Sequence, residues 1–398
     1  MKPGWEVKKL GDVIQRLETV DPRKEPDKPF KYIDVSSISR RTLAVSEVTE
    51  LLGSSAPSRA RRRVRSGDII FATIRPTLKR IAYIGAEHDQ AVCSTGYMVL
   101  RANSGLHARY IYYFLQSADF SAAMEGLQKG ASYPAVTDGE IRSQKIPLPP
   151  LEEQHRIVSI LDKAFEGLDR ARENAEANLE SARELFETSR SSIFAGLLGT
   201  APLKQLGDLC SRVSVGHVGE TSKHYVKEGG IPFIRSQNVR PTGIELKGAA
   251  HITHDFHQSL KKSQLFGGEL LFVRVGANRG HCCSLPNGFG ELNCANIVFG
   301  RPEAGNVHYL EHYCQSKVGQ ENLLGMTTGS AQGVINTKSV AKLTIPIPED
   351  PVQASVVNKL DKMRDQLSKA EANYRAKLQD ISDLRQSLLQ KAFAGELT

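Results

Sequence analysis

A chain of 398 residues is too long for one hydrophobic core and suits two domains with connecting segments. With 40% hydrophobic and 24% charged residues, no apolar run of membrane-spanning length and no apolar stretch behind the opening MKPGWEVKKLGDV, it reads as a folded cytoplasmic protein, neither membrane-embedded nor secreted. The net charge of +8 divides as +7 in residues 1–150, −4 in 151–198, +3 in 199–351 and +2 in 352–398, so the globular segments are the expected seat of a polyanion.

The first globular segment, residues 1–145, opens with Trp5 and VKKLGDVIQRL, followed by a turn-rich stretch from Asp21 to Pro29. YIDVSSI at 32–38 predicts a strand, RSGDIIFATIRP at 65–76 a turn running into an apolar strand, and STGYMVLR at 94–101 another strand. ARYIYYFLQSADFSAAMEG at 108–126 has the spacing of one helix, and KGASYPAVTDGEI closes the segment as a loop.

Residues 146–200 begin IPLPPLEEQHRIV, where proline delays the start of a helix, and then run proline-free from about 152 to 198. At 1.5 Å per residue such a helix would be roughly 70 Å long, far beyond an ordinary globular helix. Leu161, Ala164, Leu168, Ala171, Ala175, Asn178, Ala182 and Leu185 step by threes and fours, as a coiled-coil seam does.

The second half repeats this order. In residues 201–344, LGD recurs at 206–208, GGELLFVRV at 267–275 answers SGDIIFATI, YLEHYCQS at 309–316 answers YIYYFLQS at 110–117, and TTGSAQGVI at 327–335 answers QKGASYPAV. Residues 345–398 then align without a gap on the first helical segment at an offset of 199, placing Leu360, Met363, Leu367, Ala370, Tyr374, Lys377, Ile381 and Leu384 in the same seam. The two helices are expected to pair through Leu161, Leu168, Leu185, Leu360, Leu367 and Ile381.

Several residues have the chemistry of nucleic-acid contacts. Arg59, Arg61, Arg62, Arg63 and Arg65 concentrate guanidiniums in APSRARRRVR, an expected phosphate clamp. Arg75, Lys79 and Arg80 follow a strand in IRPTLKR, where a loop could enter a groove. Arg235, Gln237, Asn238 and Arg240 mix arginine, which suits a guanine edge, with amides, which suit adenine; Arg274, Asn278 and Arg279 form a similar group.

Other chemistry is missing. His251, His254 and His257 with Asp255 in HITHDFHQSLKK have helical spacing but no Cys or acidic residue placed to complete a tetrahedral set, so no metal is expected. Cys93, Cys210, Cys282, Cys283, Cys294 and Cys314 form no CxxC pair and read as reduced thiols. There is no Asp/Asn-Pro-Pro-Tyr/Phe tetrapeptide, no FxGxG turn beyond the superficial GFGEL at 288–292, no GxxxxGK[ST], and no acidic-x-Lys after Pro26-Asp27. The chain is expected to catalyse nothing and to hold no cofactor.

The ordered set of LGD, GIPFIRSQNV at 230–239, a GD or GE before an apolar strand, IPLPPLEEQHRIV and QKAFAGEL, spread over the full length, resembles the specificity subunit of a Type I restriction-modification system. Gly268-Glu269 in place of GD, and EDPVQ in place of PLEEQ, are departures from the pattern. The resemblance implies an α+β fold: two α/β target-recognition domains separated by two long antiparallel helices forming a coiled coil, with a pseudo-two-fold internal repeat. It also implies double-stranded DNA as partner, two methyltransferase subunits that bind S-adenosylmethionine, and restriction/translocase subunits. A stand-alone two-headed DNA-binding adaptor, or a coiled-coil scaffold that never touches DNA, is the alternative.

Overall fold

The computed structural model describes residues 2–17, 19–130, 132–325 and 333–397. The chain divides into two compact units, one of residues 1–175 and 375–398 and the other of residues 176–374. Both cuts fall inside long helices, Leu151–Leu198 and Asp350–Ala394. Each unit therefore holds one head, the first half of one long helix and the last half of the other. The first long helix starts where the sequence places it, just beyond Pro150, whose carbonyl accepts from the Glu153 and Gln154 amides. The second stops at Gly395, which takes a left-handed φ of +79°, a conformation that costs glycine little.

Among the described residues, the head of the first unit has two larger sheets and a two-stranded hairpin, Ile38–Ser39 with Ala44–Val45. A mixed four-stranded sheet runs in the order Thr49–Leu52, Pro29–Ile33, Val92–Ser94, Ala60–Arg63, with the middle two strands parallel. An antiparallel three-stranded sheet runs Tyr97–Leu100, Ile69–Ala72, Ile81–Tyr83. A ribbon of Glu6–Lys9 on Lys145–Leu148 ties the start of the chain to the entry of the long helix. The predicted strand at 32–38 is shorter than expected, because Val35–Ser37 curls into a 3-10 turn with Ser37 donating its amide to the Asp34 carbonyl. The predicted helix at 108–126 is two helices, Ala108–Phe114 and Ala118–Leu127, broken where the Ser117 hydroxyl caps the Phe120 amide at 3.3 Å.

The second unit has the same plan with longer pairings. A five-stranded sheet runs Tyr225–Val226, Ala250–Ile252, Ile231–Ile234, Leu292–Cys294, Gln264–Leu265. A four-stranded sheet runs Cys210–Val215, Ile297–Pro302, Leu270–Val273, Cys282–Ser284. Leu203–Gln205 pairs with Thr344–Pro346 as the equivalent ribbon. Most of TTGSAQGVI, expected to answer QKGASYPAV, lies outside the described residues.

The carboxylate before each central strand is buried. Asp68, 1% exposed, takes the Arg65 amide at 2.8 Å and two bonds from Arg101 at 2.8 and 2.7 Å. Glu269, 0% exposed, takes the Phe266 and Gly267 amides at 3.0 and 2.8 Å and Arg301 at 3.1 Å. The longer Glu side chain serves the same turn as the Asp, so the substitution of GGE for GD leaves the geometry intact. A buried carboxylate needs such a partner, since an unpaired one would lose several kcal/mol of solvation, on the order of 3–5.

The seam of the long helices follows a register different from the expected one. Leu161, Leu168, Ala175 and Ala182 are on it, as are Leu360, Leu367, Tyr374 and Ile381. Between them, Ala164, Met363 and Ala370 are partly buried as expected, Phe165 joining Ala164, whereas Ala171 is exposed, Leu179 and Phe186 turn inward in place of Asn178 and Leu185, and Leu378 and Arg385 in place of Lys377 and Leu384. Leu185 is thus removed from the pairing set, being 65% exposed, and its counterpart Leu384 is 49% exposed. One residue rotates a helix position by about 100°, so an apolar residue beside the seam and one on it cannot be told apart by step size alone. The tertiary partners decide: Phe186 and Phe194 pack with Leu360, Met363 and Leu367 in the second unit, and Phe165 with Leu389 and Ala392 in the first. Arg183 bonds Glu371 at 2.7 Å and Arg385 bonds Asp169 at 2.7 Å, both pairs crossing between the antiparallel helices.

Two neighbouring substitutions separate the registers. Phe186→Ala should lower unfolding free energy by about 3 kcal/mol through the cavity it leaves, whereas Leu185→Gln should change it by no more than about 0.5 kcal/mol. Denaturant titration of the two variants, compared at equal slope, measures the difference.

Candidate nucleic-acid interface

In the second unit, strand Ile231–Ile234 lies parallel to Leu292–Cys294 and delivers Arg235 at its end. The next turn is built by Asn238, whose side-chain oxygen accepts the Arg235 amide at 3.0 Å while its amide donates to the Glu245 carbonyl at 2.9 Å. Asn238 is 2% exposed and all of this bonding is internal, so it is withdrawn from the base-reading set and becomes the scaffold of the turn. Gln237 beside it is exposed. The Arg235 guanidinium lies 5.7 Å from the Tyr225 ring centroid, and its Nε is buried with no partner among the described residues.

A second segment meets this turn. The loop after Leu270–Val273 reverses through Gly276 at φ +88° and Gly280 at φ +91°, and it brings Asn278 into the same groove as Arg235, Ser236 and Gln237, with Asn296 at its edge. The groove has a volume of about 530 Å³. Its amides and its guanidinium are the donor types that suit base edges. Arg279 is turned away, donating to the Gly333 carbonyl, and Arg240 faces Glu245 at 3.9 Å. Arg274 is half-buried, with its Nε unpartnered among the described residues.

The matching loop in the first unit is strained where the second has glycine. Arg75 and Lys79 both take φ +50°, and the residues 201 positions on are Gly276 and Gly280. A left-handed conformation costs a residue with a Cβ on the order of 1 kcal/mol, so this loop holds two cations in a backbone that glycine would favour. The Arg75 guanidinium lies 5.4 Å from the ring centroid of Tyr133, itself 72% exposed. Partial burial pushes the Lys79 ammonium below its ordinary value, and Arg80 has a buried Nε without a partner among the described residues. A cationic loop with an exposed aromatic is suited to a sugar-phosphate backbone and a stacked base.

The arginine-rich segment is not a single clamp. Ala60–Arg63 is an edge strand, and the pleat sends neighbouring side chains to opposite faces. Arg61 is salt-bridged to Asp21, and Arg62 to Asp138 at 2.7 Å, so two of the five guanidiniums are neutralised internally. Arg63 lines a groove of about 840 Å³ with Lys24, Lys28 and Lys31, but also with Asp21, Glu25 and Asp89. Arg59 and Arg65 are exposed at either end.

Sequence reasoning passed over Arg40 and Arg41, exposed at the tip of the hairpin Ile38–Ser39/Ala44–Val45 that follows the turn equivalent to 235–238. Two arginines between short apolar runs was the available signal. It also passed over Tyr225, Tyr133 and Asn296, the last at φ +53°. Of the histidine group, His257 is buried and lies 3.2 Å from the Gln264 amide nitrogen and 3.3 Å from that of Asn293, while His251 sits on a strand.

A family model described as the Type I restriction modification DNA specificity domain matches residues 2–180. The EcoKI specificity subunit of Escherichia coli K12 is 22% identical over 85% of this chain and 76% of its own length. The MjaIX specificity subunit of Methanocaldococcus jannaschii is 20% identical over 99% and 93%. Among solved structures, the HsdS subunit of Thermoanaerobacter tengcongensis is 28% identical over 100% of this chain and 98% of its own, with a TM-score of 0.59. A chain from work on complex assembly and conformational transition of the type I R-M system reaches 0.86 at 28% identity, covering 100% and 99%. Over its full length the chain is similar to Type I restriction-modification specificity subunits.

The groove residues divide by role. Gln237→Ala should change the bases accepted in one half-target with unchanged melting, while Asn238→Ala should lower the stability of the second unit by about 1–3 kcal/mol through the amides it leaves unpaired. Binding to randomised DNA together with thermal unfolding of each variant distinguishes them.

Proposed function

We infer that the chain is the sequence-reading subunit of a Type I restriction-modification complex, with each head recognising one half of a bipartite DNA target. The observation that carries this reading is the repetition of one site plan. In each unit a turn after a parallel strand, at 34–37 or 235–238, accompanies a cationic or amide-bearing loop after the next core strand, at 73–80 or 274–280. The residues in that plan differ between the heads, as they must if the two half-targets differ. Arg235, Gln237 and Asn278 would read bases in one half, and Arg75, Lys79 and Arg80 would engage the other.

The missing motifs for methyl transfer, nucleotide binding and cleavage support a non-catalytic role. S-adenosylmethionine would be bound by methyltransferase partners, two of them to match the two-fold repeat, and cleavage would fall to restriction/translocase subunits. Such a complex would act on DNA in the cytoplasm. The heads would span residues 1–145 and 201–344, with the segments 146–200 and 345–398 serving as spacer and docking helices. A stand-alone adaptor would bind the same DNA without directing methylation.

Methylation-sensitive sequencing of a host with and without this chain, expressed with its methyltransferase partner, tests the reading. A bipartite motif should appear only with the chain, and exchange of residues 1–145 for the head of a relative should alter one half of that motif alone. No chain-dependent motif, or a change in both halves, would contradict it. Arg75→Ala should in addition flatten the salt dependence of DNA binding by up to about 0.9 in log-log slope, the amount expected for one phosphate contact.

A further inference from the structure

We propose that a joint repeated at the base of both heads fixes the gap at which the two half-targets are read, with Gln154 and Gln353 as its positioning residues. This deepens the specificity-subunit reading and rests on it. In the first unit the Gln154 side chain, 0% exposed, accepts the His107 amide at 2.8 Å and donates to the carbonyls of Pro149 at 2.9 Å and Gly105 at 3.1 Å. In the second unit Gln353, 2% exposed, accepts the Asn306 amide at 2.9 Å and donates to the Pro348 carbonyl at 2.8 Å. His107 and Asn306 are the N-caps of the head helices Ala108–Phe114 and Val307–Gln315. Each amide therefore ties the start of a head helix to the first turn of a long helix.

Two further points complete the joint. Tyr110 donates its hydroxyl to the Pro147 carbonyl at 2.9 Å, and Tyr309 to that of Pro346 at 2.7 Å. Further along the long helix, Asp162 accepts the Tyr113 hydroxyl, and Asp361 bonds the His312 Nε2 at 2.9 Å. The end of the other long helix closes over the same place: Phe393 stacks edge-on to Tyr110 at 5.1 Å, and Phe194 to Tyr309 at 5.4 Å. Apart from the Gln154 bond to Gly105, every pair recurs at the offset of 199, even where tyrosine has become histidine.

Apolar packing alone would leave the head helix free to shift by fractions of a turn. Hydrogen bonds are directional, and three of them at separate heights on one helix remove both rotation and sliding. What repeats is thus the orientation of each head on its own helix. The length of the long helices can set the gap between half-targets only if that orientation does not vary.

The test uses cells carrying the full chain and its methyltransferase partner, without a restriction subunit, and reads the methylated motif by sequencing. Gln154→Ala and Gln353→Ala should keep both half-target sequences while methylating sites whose gap differs by a single base pair roughly tenfold more often than the unaltered chain does, the change expected for a lost buried hydrogen-bond set. An unchanged distribution of gaps, an altered half-target sequence, or complete loss of methylation by a folded variant would overturn the proposal. If circular dichroism shows a glutamine variant unfolded, His312→Phe, which deletes only the bond to Asp361 and keeps the ring packed, carries the same expectation and the same refutation. Absence of any bipartite motif with the unaltered chain would instead refute the specificity reading itself.

Discussion

The structure depends on covering one apolar stripe twice. Each long helix is polar over most of its circumference, and its stripe of leucines, alanines and phenylalanines is stable only where water is excluded from it. In the first unit Ile157, Val158, Leu161 and Phe165 are covered by the head helices and by Leu389 and Ala392 from the end of the chain. In the second, Phe186 and Phe194 are covered by Leu360 and by Tyr309 and Tyr313 of the head. Each such side chain contributes about 1.5–3 kcal/mol when fully buried. Because every unit draws on both helices, neither core closes with one half of the sequence alone.

That arrangement explains which polar groups are buried and which are free. The buried ones, Asp68 with Arg101, Glu269 with Arg301, Gln154 and Gln353, are satisfied internally and recur in both units at matching places. The exposed ones that face the grooves do not match. Where the second unit has Gly276 and Gly280, the first carries Arg75 and Lys79 in the same left-handed backbone. The framework is therefore duplicated and the reading surface is not, which is the physical separation a two-part recognition device requires.

The same division decided what could be read from the chain. The repeat, the long helices and the apolar strands at 69–72 and 97–100 were legible, because they depend on proline and glycine placement and on apolar periodicity, which are local. The grouping of Arg235 with Gln237 in one groove was legible for the same reason: arginine and amides clustered after an apolar strand are visible without a partner. Short strands such as Thr49–Leu52 and Ile81–Tyr83, and the helix break at Ser117, were not legible. Asn238, Arg61 and Arg62 were misjudged because the groups that occupy them, the Glu245 carbonyl, Asp21 and Asp138, lie elsewhere in the chain.

The seam of the helices marks the boundary most sharply. Sequence alone determined that two helices of this length exist and that Leu161, Leu168, Leu360 and Leu367 face a partner, since those positions share a heptad spacing. Only the tertiary structure decided between Leu185 and Phe186. Both are large and apolar and lie about 100° apart on the helix, and what buries one and exposes the other is the Leu360–Met363–Leu367 surface of a helix that begins more than a hundred residues later.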